Sequence, residues 1–203
     1  MPFQNLNLYL FHIFNVPEQA SHFMMSYATF IAHDLIYIIF FSFICAWLVG
    51  NIETKKNILK AFIFTSITLF ISEILSFVLD TPRPFVMNVG ETILTHAPTG
   101  SFPSNHMSIF SGLAFSYYFS SQRQLGKLLI AVAWLVAWAR VYVGVHFPLD
   151  MFGAFFFAFV VNISGLKLWN MYQNQLMTWV MFIHRKIFSF LIPDCSLYSA
   201  VSV

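Results

Sequence analysis

In the segment ARVYVGVHFPLD, Arg140 is followed by His146 and Asp150. Residues four apart share a face on a helical turn. Asp150 can therefore hold one imidazole nitrogen of His146, fix its tautomer and leave the other nitrogen as a nucleophile or base. His106 closes FPSNH at the start of an apolar run, where it can protonate a leaving oxygen. Arg83 stands in DTPRPF, stiffened by Pro82 and Pro84. Two guanidiniums offer forked donors suited to phosphate oxygens. The helix opened by Pro103, with Ser101 or Ser104 as its cap, adds free N–H groups and a positive dipole end. One histidine to attack, one to supply a proton and two arginines to hold charge describe chemistry on a phosphate. A Mg²⁺ site would need a set of oxygen ligands, and only Asp80, Glu91 and Asp150 fall near these segments. Neither a metal nor a cofactor is expected.

These residues belong to a chain of 203 residues that is 59% hydrophobic and 9% charged, with mean hydropathy +0.73. Soluble domains carry about 25% charged residues. Five apolar runs, roughly 27–49, 58–79, 104–120, 127–144 and 148–168, approach the ~20 residues that a helix needs to cross hydrocarbon. Helix is required because unpaired strands would leave backbone groups unsatisfied in lipid. The expected fold is an all-α integral membrane bundle of about five or six transmembrane helices, forming one domain over residues 1–203. Residues 3–15 read as a short N-terminal interfacial helix. Residues 176–192, interrupted by His184, Arg185 and Lys186, read as a second interfacial helix, with a sixth span as the alternative. No Lys or Arg precedes Lys55, so the first span lacks a cleaved leader's basic start and is expected to stay in the mature protein.

With five spans, one side receives Lys55, Lys56, Lys60, Arg123, Lys127, Lys167, Arg185 and Lys186, and the other only Arg83 and Arg140. That bias predicts a cytoplasmic lysine-rich side and an outward-facing phosphate site. The net charge of +2 argues against a nucleic-acid partner, which needs clustered Lys and Arg. The expected partners are the bilayer and a membrane lipid substrate. Cys45 and Cys195 have neither metal-ligand spacing nor the number for a disulfide framework.

At these residues the sequence resembles the type 2 phosphatidic acid phosphatase superfamily, whose motifs are Lys-x6-Arg-Pro, Pro-Ser-x-His and Ser-Arg-x5-His-x3-Asp. The second is complete as Pro103-Ser104-Asn105-His106, and the third is Arg140, His146 and Asp150 with Ala139 at the serine position. The first keeps Arg83-Pro84 but has Ser76 at the lysine position. The resemblance covers roughly residues 60–165. It implies His146 as a nucleophile forming a phosphohistidine, Asp150 as its orienting partner and His106 as the general acid. Arg83, Ser104, Asn105 and Arg140 are implied as phosphate ligands. The short chain, PRPF without the lysine, and SFPSNH preceded by His96 look like undecaprenyl-diphosphate phosphatases of the bacitracin-resistance type. That implies a bacterial inner-membrane enzyme converting undecaprenyl diphosphate to undecaprenyl phosphate and inorganic phosphate, for cell-wall synthesis. Phosphatidylglycerophosphate or phosphatidic acid as substrate, and phosphate transfer to lipid A, are the alternatives within that chemistry.

Other readings stand beside these. His106 and His146 are also placed as interfacial histidines bonded to backbone, or as axial haem ligands of a non-enzymatic membrane protein. His96 either contacts the distal phosphate or decorates its loop. Glu73, about 15 Å deeper than Arg83 along a helix, bonds to a neighbouring helix or handles protons. His33 and Asp34 line the substrate entrance, pair with Arg83 or Arg140, or mark a polar helix end. The 26 phenylalanines are expected to face lipid and fill packing.

Overall fold

The computed structural model describes residues 2–191, and every regular element among them is helical. The chain divides into two compact units, Met1–Leu166 and a second that begins at Lys167. All the candidate site residues lie in the first. Its elements begin with α1 (Pro2–Phe14). Then α2 (His22–Thr29), a π-helical turn (Phe30–Asp34) and α3 (Leu35–Val49) run on as one helix, His22–Val49. The remaining elements are α4 (Ile52–Leu79), α5 (Asn105–Tyr118), α6 (Arg123–Tyr142) and α7 (Pro148–Leu191). Side chains fix several starts: Ser21 accepts from Met24 N–H, and Asn51 accepts from Thr54 N–H at 2.9 Å.

Among the described residues, four helices are long and apolar enough to cross a membrane: His22–Val49, Ile52–Leu79, Arg123–Tyr142 and Pro148–Ile187. The span expected at 104–120 is not among them. Its helix, α5, has 14 residues, about 21 Å at 1.5 Å per residue, against a hydrocarbon core of about 30 Å. It is a core helix: it packs on α4 and α6, and Met107, Phe110, Ala114 and Phe115 are buried along it. Hydropathy registers that these side chains avoid water, not whether protein or lipid covers them. The separate helix expected at 176–192 is also absent. Residues 176–191 continue α7 without a break, so His184, Arg185 and Lys186 lie inside a helix that starts at Pro148. Residue 192 and Cys195 fall outside the described residues.

The exterior and interior invert the pattern of a water-soluble bundle. Phe40, Phe41, Phe62, Phe70 and Phe77 are exposed, an apolar surface far too continuous for water and suited to lipid. Small and polar side chains join the helices inside, as expected where lipid supplies no hydrophobic drive for association. Gly112 of α5 lets the α4 backbone at Thr65 approach so closely that a Cβ would stand 3.0 Å from Thr65 Cα. Ser108 Oγ donates to Ser72 Oγ at 3.1 Å. Asn162 of α7, fully buried, accepts from Ser116 Oγ at 2.7 Å and donates to Gly112 O and Ala158 O. Lys60, counted above among the lysines of one face, is buried and donates to Phe119 O at 2.7 Å, satisfying the end of α5.

The segment carrying His146 is held from three sides. Phe11 of α1 is buried edge-on against Phe147, with ring centroids 5.2 Å apart. Asn7 accepts from Leu149 N–H at 3.0 Å and so caps α7. Asn15 donates to Glu91 O and Tyr142 O and accepts from Glu91 N–H, tying the 80–104 loop to the end of α6. The turn between α6 and α7 passes through Gly144 at φ +81°, where a Cβ would lie 2.2 Å from Glu91 O. Both the left-handed backbone and the contact exclude a side chain. Gly144→Ala is therefore expected to lose at least about 1–2 kcal/mol, seen as a lower thermal midpoint in detergent together with reduced turnover. An unchanged midpoint would mean the turn relaxes freely.

Candidate active site

Arg83, at the exit of α4, is buried to 5% exposure, and each of its N–H groups has a protein acceptor. Nε donates to Thr99 O at 2.9 Å, and Nη2 donates to Gly100 O at 3.1 Å and Thr99 Oγ1 at 3.3 Å. Nη1 donates to Val145 O at 3.1 Å and to His146 Nε2 at 3.0 Å. A guanidinium has no acceptor, so His146 Nε2 must receive this bond through its lone pair. Neutral His146 therefore carries its proton on Nδ1, which faces Asp150 Oδ2 at 3.2 Å. That oxygen also accepts from Ser101 Oγ at 2.5 Å and from Phe147 N–H at 2.8 Å. The carboxylate is thus held at one end, and the tautomer it fixes leaves the lone pair on Nε2 at the other.

His146 is 2% exposed. Burial, reinforced by Arg140, Arg83, His96 and His106, pushes its pKa well below that of free histidine, so the imidazole is neutral. Burial also lowers Arg83 from the usual guanidinium value, while Asp150 acts in the opposite sense. His96 packs edge-on to His146, ring centroids 6.2 Å apart. Its Nδ1–H donates to Ala97 O at 3.0 Å. Burial first, then Arg83 and Arg140, hold its pKa below the ordinary value against that bond.

Arg140 differs from Arg83. It is 1% exposed, and only Nη1 has a partner, Ala32 O of the π-helical turn at 3.1 Å. Nε and Nη2 are buried without partners among the described residues. Such orphan donors are costly unless an anion takes them. His106 lies in the first turn of α5, within electrostatic reach of Arg140, His96, His33 and Arg83. Among the described residues, no three His, Cys, Asp or Glu side chains gather as a metal set would. The haem pairing of His106 and His146 meets a specific obstacle, because His146 Nε2 faces a guanidinium donor.

Residues 57–174 match the model of the PAP2 superfamily. The chain belongs to the PAP2 superfamily. It is 34% identical over 173 residues to "Putative undecaprenyl-diphosphatase YbjG" of Escherichia coli (strain K12), covering 85% of this chain and 87% of that protein. Undecaprenyl-diphosphatase BcrC of Bacillus subtilis (strain 168) is 32% identical over 116 residues, 57% of this chain and 60% of its own. In structure, this PAP2 chain is similar to Aquifex aeolicus LpxE, with TM-score 0.63, 25% identity and coverage of 80% and 95%. A transmembrane PAP2-type phosphatidylglycerolphosphate phosphatase from Bacillus subtilis shares the fold at TM-score 0.59 and 17% identity, covering 80% of this chain and 84% of its own.

Several expected positions take other work in this PAP2 chain. Ser76, at the family's lysine position, donates to Gly100 O at 3.0 Å, the carbonyl that also receives Arg83. Ala139, at the serine position, is fully buried in the apolar core. Ser104 is buried, its hydroxyl capping α5 at Met107 N–H and its own N–H on Asp150 O. Asn105 was expected at the phosphate, but its amide turns to α4, donating to Glu73 Oε1 at 2.5 Å and accepting from Ser72 Oγ at 3.0 Å. Glu73 thus adopts the interhelical bond, one of its two expected roles. Asp34 pairs with neither arginine; its Oδ1 takes His33 Nδ1 at 2.7 Å. Ser101, considered above only as a helix cap, is instead the hydroxyl on Asp150. Thr99, Gly100 and Ala32 serve the arginines through groups that no motif marks.

The depressed His146 pKa has a definite sign. Free histidine titrates near 6.5, so below that pH the unfolded chain binds a proton that the folded site refuses. Stability should fall as pH drops below about 6.5. The acid limb of kcat/KM should lie below 6.5, since Nε2 keeps its lone pair there. A pH–rate profile with its acid limb at or above 6.5 would contradict a neutral, buried His146.

Proposed function

We propose that this chain hydrolyses a polyprenyl diphosphate, undecaprenyl diphosphate to undecaprenyl phosphate and inorganic phosphate, through a phosphohistidine on His146. Its site would face outward from a bacterial inner membrane. The observation that carries the reading is the contrast of the two arginines around His146. Arg83 locks the nucleophile's tautomer, and Arg140 holds buried donors with no protein acceptor. The names of the relatives support the substrate class, and the Lys and Arg bias supports the orientation provided α5 crosses with α4, as Asn105 against Ser72 at one end and Phe119 O against Lys60 at the other would have it.

In this mechanism the terminal phosphate enters beside Arg140, whose Nε and Nη2 take its oxygens, and His96 approaches the same phosphate. As His146 Nε2 bonds to phosphorus, its lone pair leaves the Arg83 Nη1 hydrogen bond, and that N–H turns to a phosphate oxygen. The bond from phosphorus to the bridging oxygen breaks, and His106, which burial and Arg140 keep neutral before substrate binds, takes up a proton as the phosphate brings its negative charge and gives that proton to the bridging oxygen. Asp150 and Ser101 steady the imidazolium as it forms. His106 then removes a proton from water, which attacks phosphorus, cleaves the N–P bond and releases inorganic phosphate. The α5 N-terminus and the two guanidiniums stabilise the charge that spreads over the equatorial oxygens.

The test is phosphate release from undecaprenyl diphosphate and from phosphatidic acid by detergent-purified protein in EDTA. Release from the diphosphate is expected, with His146→Ala losing at least about 10³-fold, as is typical for loss of a covalent nucleophile. Arg140→Lys should also fall by about 10-fold or more, because a point charge cannot replace a fork. Preference for phosphatidic acid would overturn the substrate while keeping the mechanism. Label transferred to lipid A rather than to solution would indicate a phosphotransferase.

A further inference from the structure

A diphosphate has a second phosphate, the one esterified to lipid, and none of the groups assigned above is reserved for it. In an in-line displacement it sits on the leaving side, past the bridging oxygen that His106 protonates and away from His146. The groups acting electrostatically on His146 are Arg140, Arg83, His96 and His106, whereas those acting on His106 include His33 as well. His33 lies within electrostatic range of the acid and directly follows Ala32, whose carbonyl receives Arg140 Nη1 at 3.1 Å.

The local fold explains that placement. A π-helical turn over Phe30–Asp34 interrupts the helix His22–Val49, and such turns shift the side chains that follow them out of ordinary register. The turn's Ala32 carbonyl receives Arg140 Nη1, which fixes the turn at the edge of the cradle. The next residue is His33, with its Nδ1 held by Asp34 Oδ1 at 2.7 Å and its ring edge-on to Tyr37. Both side chains of the pair are about half exposed, at 50% and 49%, unlike the buried His146–Asp150 pair at 2% and 5%. A carboxylate-backed imidazole whose Nε2 is left for a ligand is a donor for an anionic oxygen. Its half-exposure suits a group that meets the substrate from the lipid side.

We propose that His33, oriented by Asp34, is the subsite for the lipid-linked phosphate and sets the preference for diphosphates over monoesters. This rests on the phosphatase reading above and deepens it. The experiment measures kcat/KM for undecaprenyl diphosphate and for phosphatidic acid with full-length wild type, His33→Ala and Asp34→Asn. It also measures inhibition by inorganic pyrophosphate and by orthophosphate. The diphosphate-to-monoester ratio should fall about 10-fold or more in His33→Ala, the size of one lost hydrogen bond to a charged group. The fall should be smaller in Asp34→Asn, which keeps the imidazole. Pyrophosphate inhibition should weaken more than orthophosphate inhibition. A merely structural role would lower both substrates together, so an unchanged ratio overturns the subsite while the phosphatase reading survives. Wild type that spares the diphosphate and cleaves phosphatidic acid would overturn the parent substrate assignment, and the subsite with it.

Discussion

The structure depends on one buried cation. Arg83 has its guanidinium out of water, and a buried charge is tolerated only when its hydrogen bonds are complete. They are: Thr99, Gly100, Val145 and His146 accept from it. These acceptors come from a loop without regular structure and from the turn between α6 and α7. Satisfying one side chain therefore fixes two segments relative to the exit of α4. The same bond that closes the fold decides where the His146 proton resides. Architecture and reactivity share an atom pair, so the tautomer cannot drift while the loop stays in place.

Arg140 shows the opposite logic one helix away. It is as buried as Arg83, yet it has one carbonyl partner and two idle nitrogens. In the proposed mechanism the pair divides the labour of a phosphate cradle, with one guanidinium saturated by the protein and the other left for the ligand. Donors fixed in place before substrate arrives need little reorganisation during reaction. The cost of holding Arg140 unpaired is met by packing around it, since Val136, Ala137, Ala139 and Val141 on its helix are buried in the apolar core.

The sequence made some of this plain. The His146–Asp150 pairing follows from i,i+4 geometry, and the Ser104 cap of α5 from local chemistry, although the helix begins at Asn105 and leaves Pro103 just outside it. Both survive because they depend on neighbours in the chain. Ser101 reaches Asp150 across 49 positions, and nothing local to SFPSNH distinguishes a cap from such a closure. Ala32, Val145 and Gly100 act through carbonyls, which every residue possesses. The π-helical turn leaves no compositional mark in FIAHD. The burial of α5 was not legible either, because periodicity and hydropathy report that side chains avoid water without naming what covers them. Glu73 and Asn105, 32 positions apart, are one interaction between α4 and α5 that no local pattern marks.

Ser76 draws these points together. A lysine at that position would add a third cation beside Arg83, whereas the serine is neutral and clasps Gly100 O, an acceptor of Arg83. The exchange gives up a mobile charge and stiffens the loop that Arg83 already holds. Two guanidiniums and one carboxylate remain at the centre, a local excess of positive charge in a dry setting that an entering phosphate offsets. With the lysine gone, further donors for a doubly phosphorylated headgroup must come from the rim. The imidazoles there are His96, edge-on to His146, and His33, within electrostatic range of His106. Imidazoles are weaker but tunable donors than ammonium groups. In the proposed reading, a site whose core is rigid and whose rim is made of histidines holds the reacting phosphate by fixed geometry and the rest of the headgroup by adjustable charge.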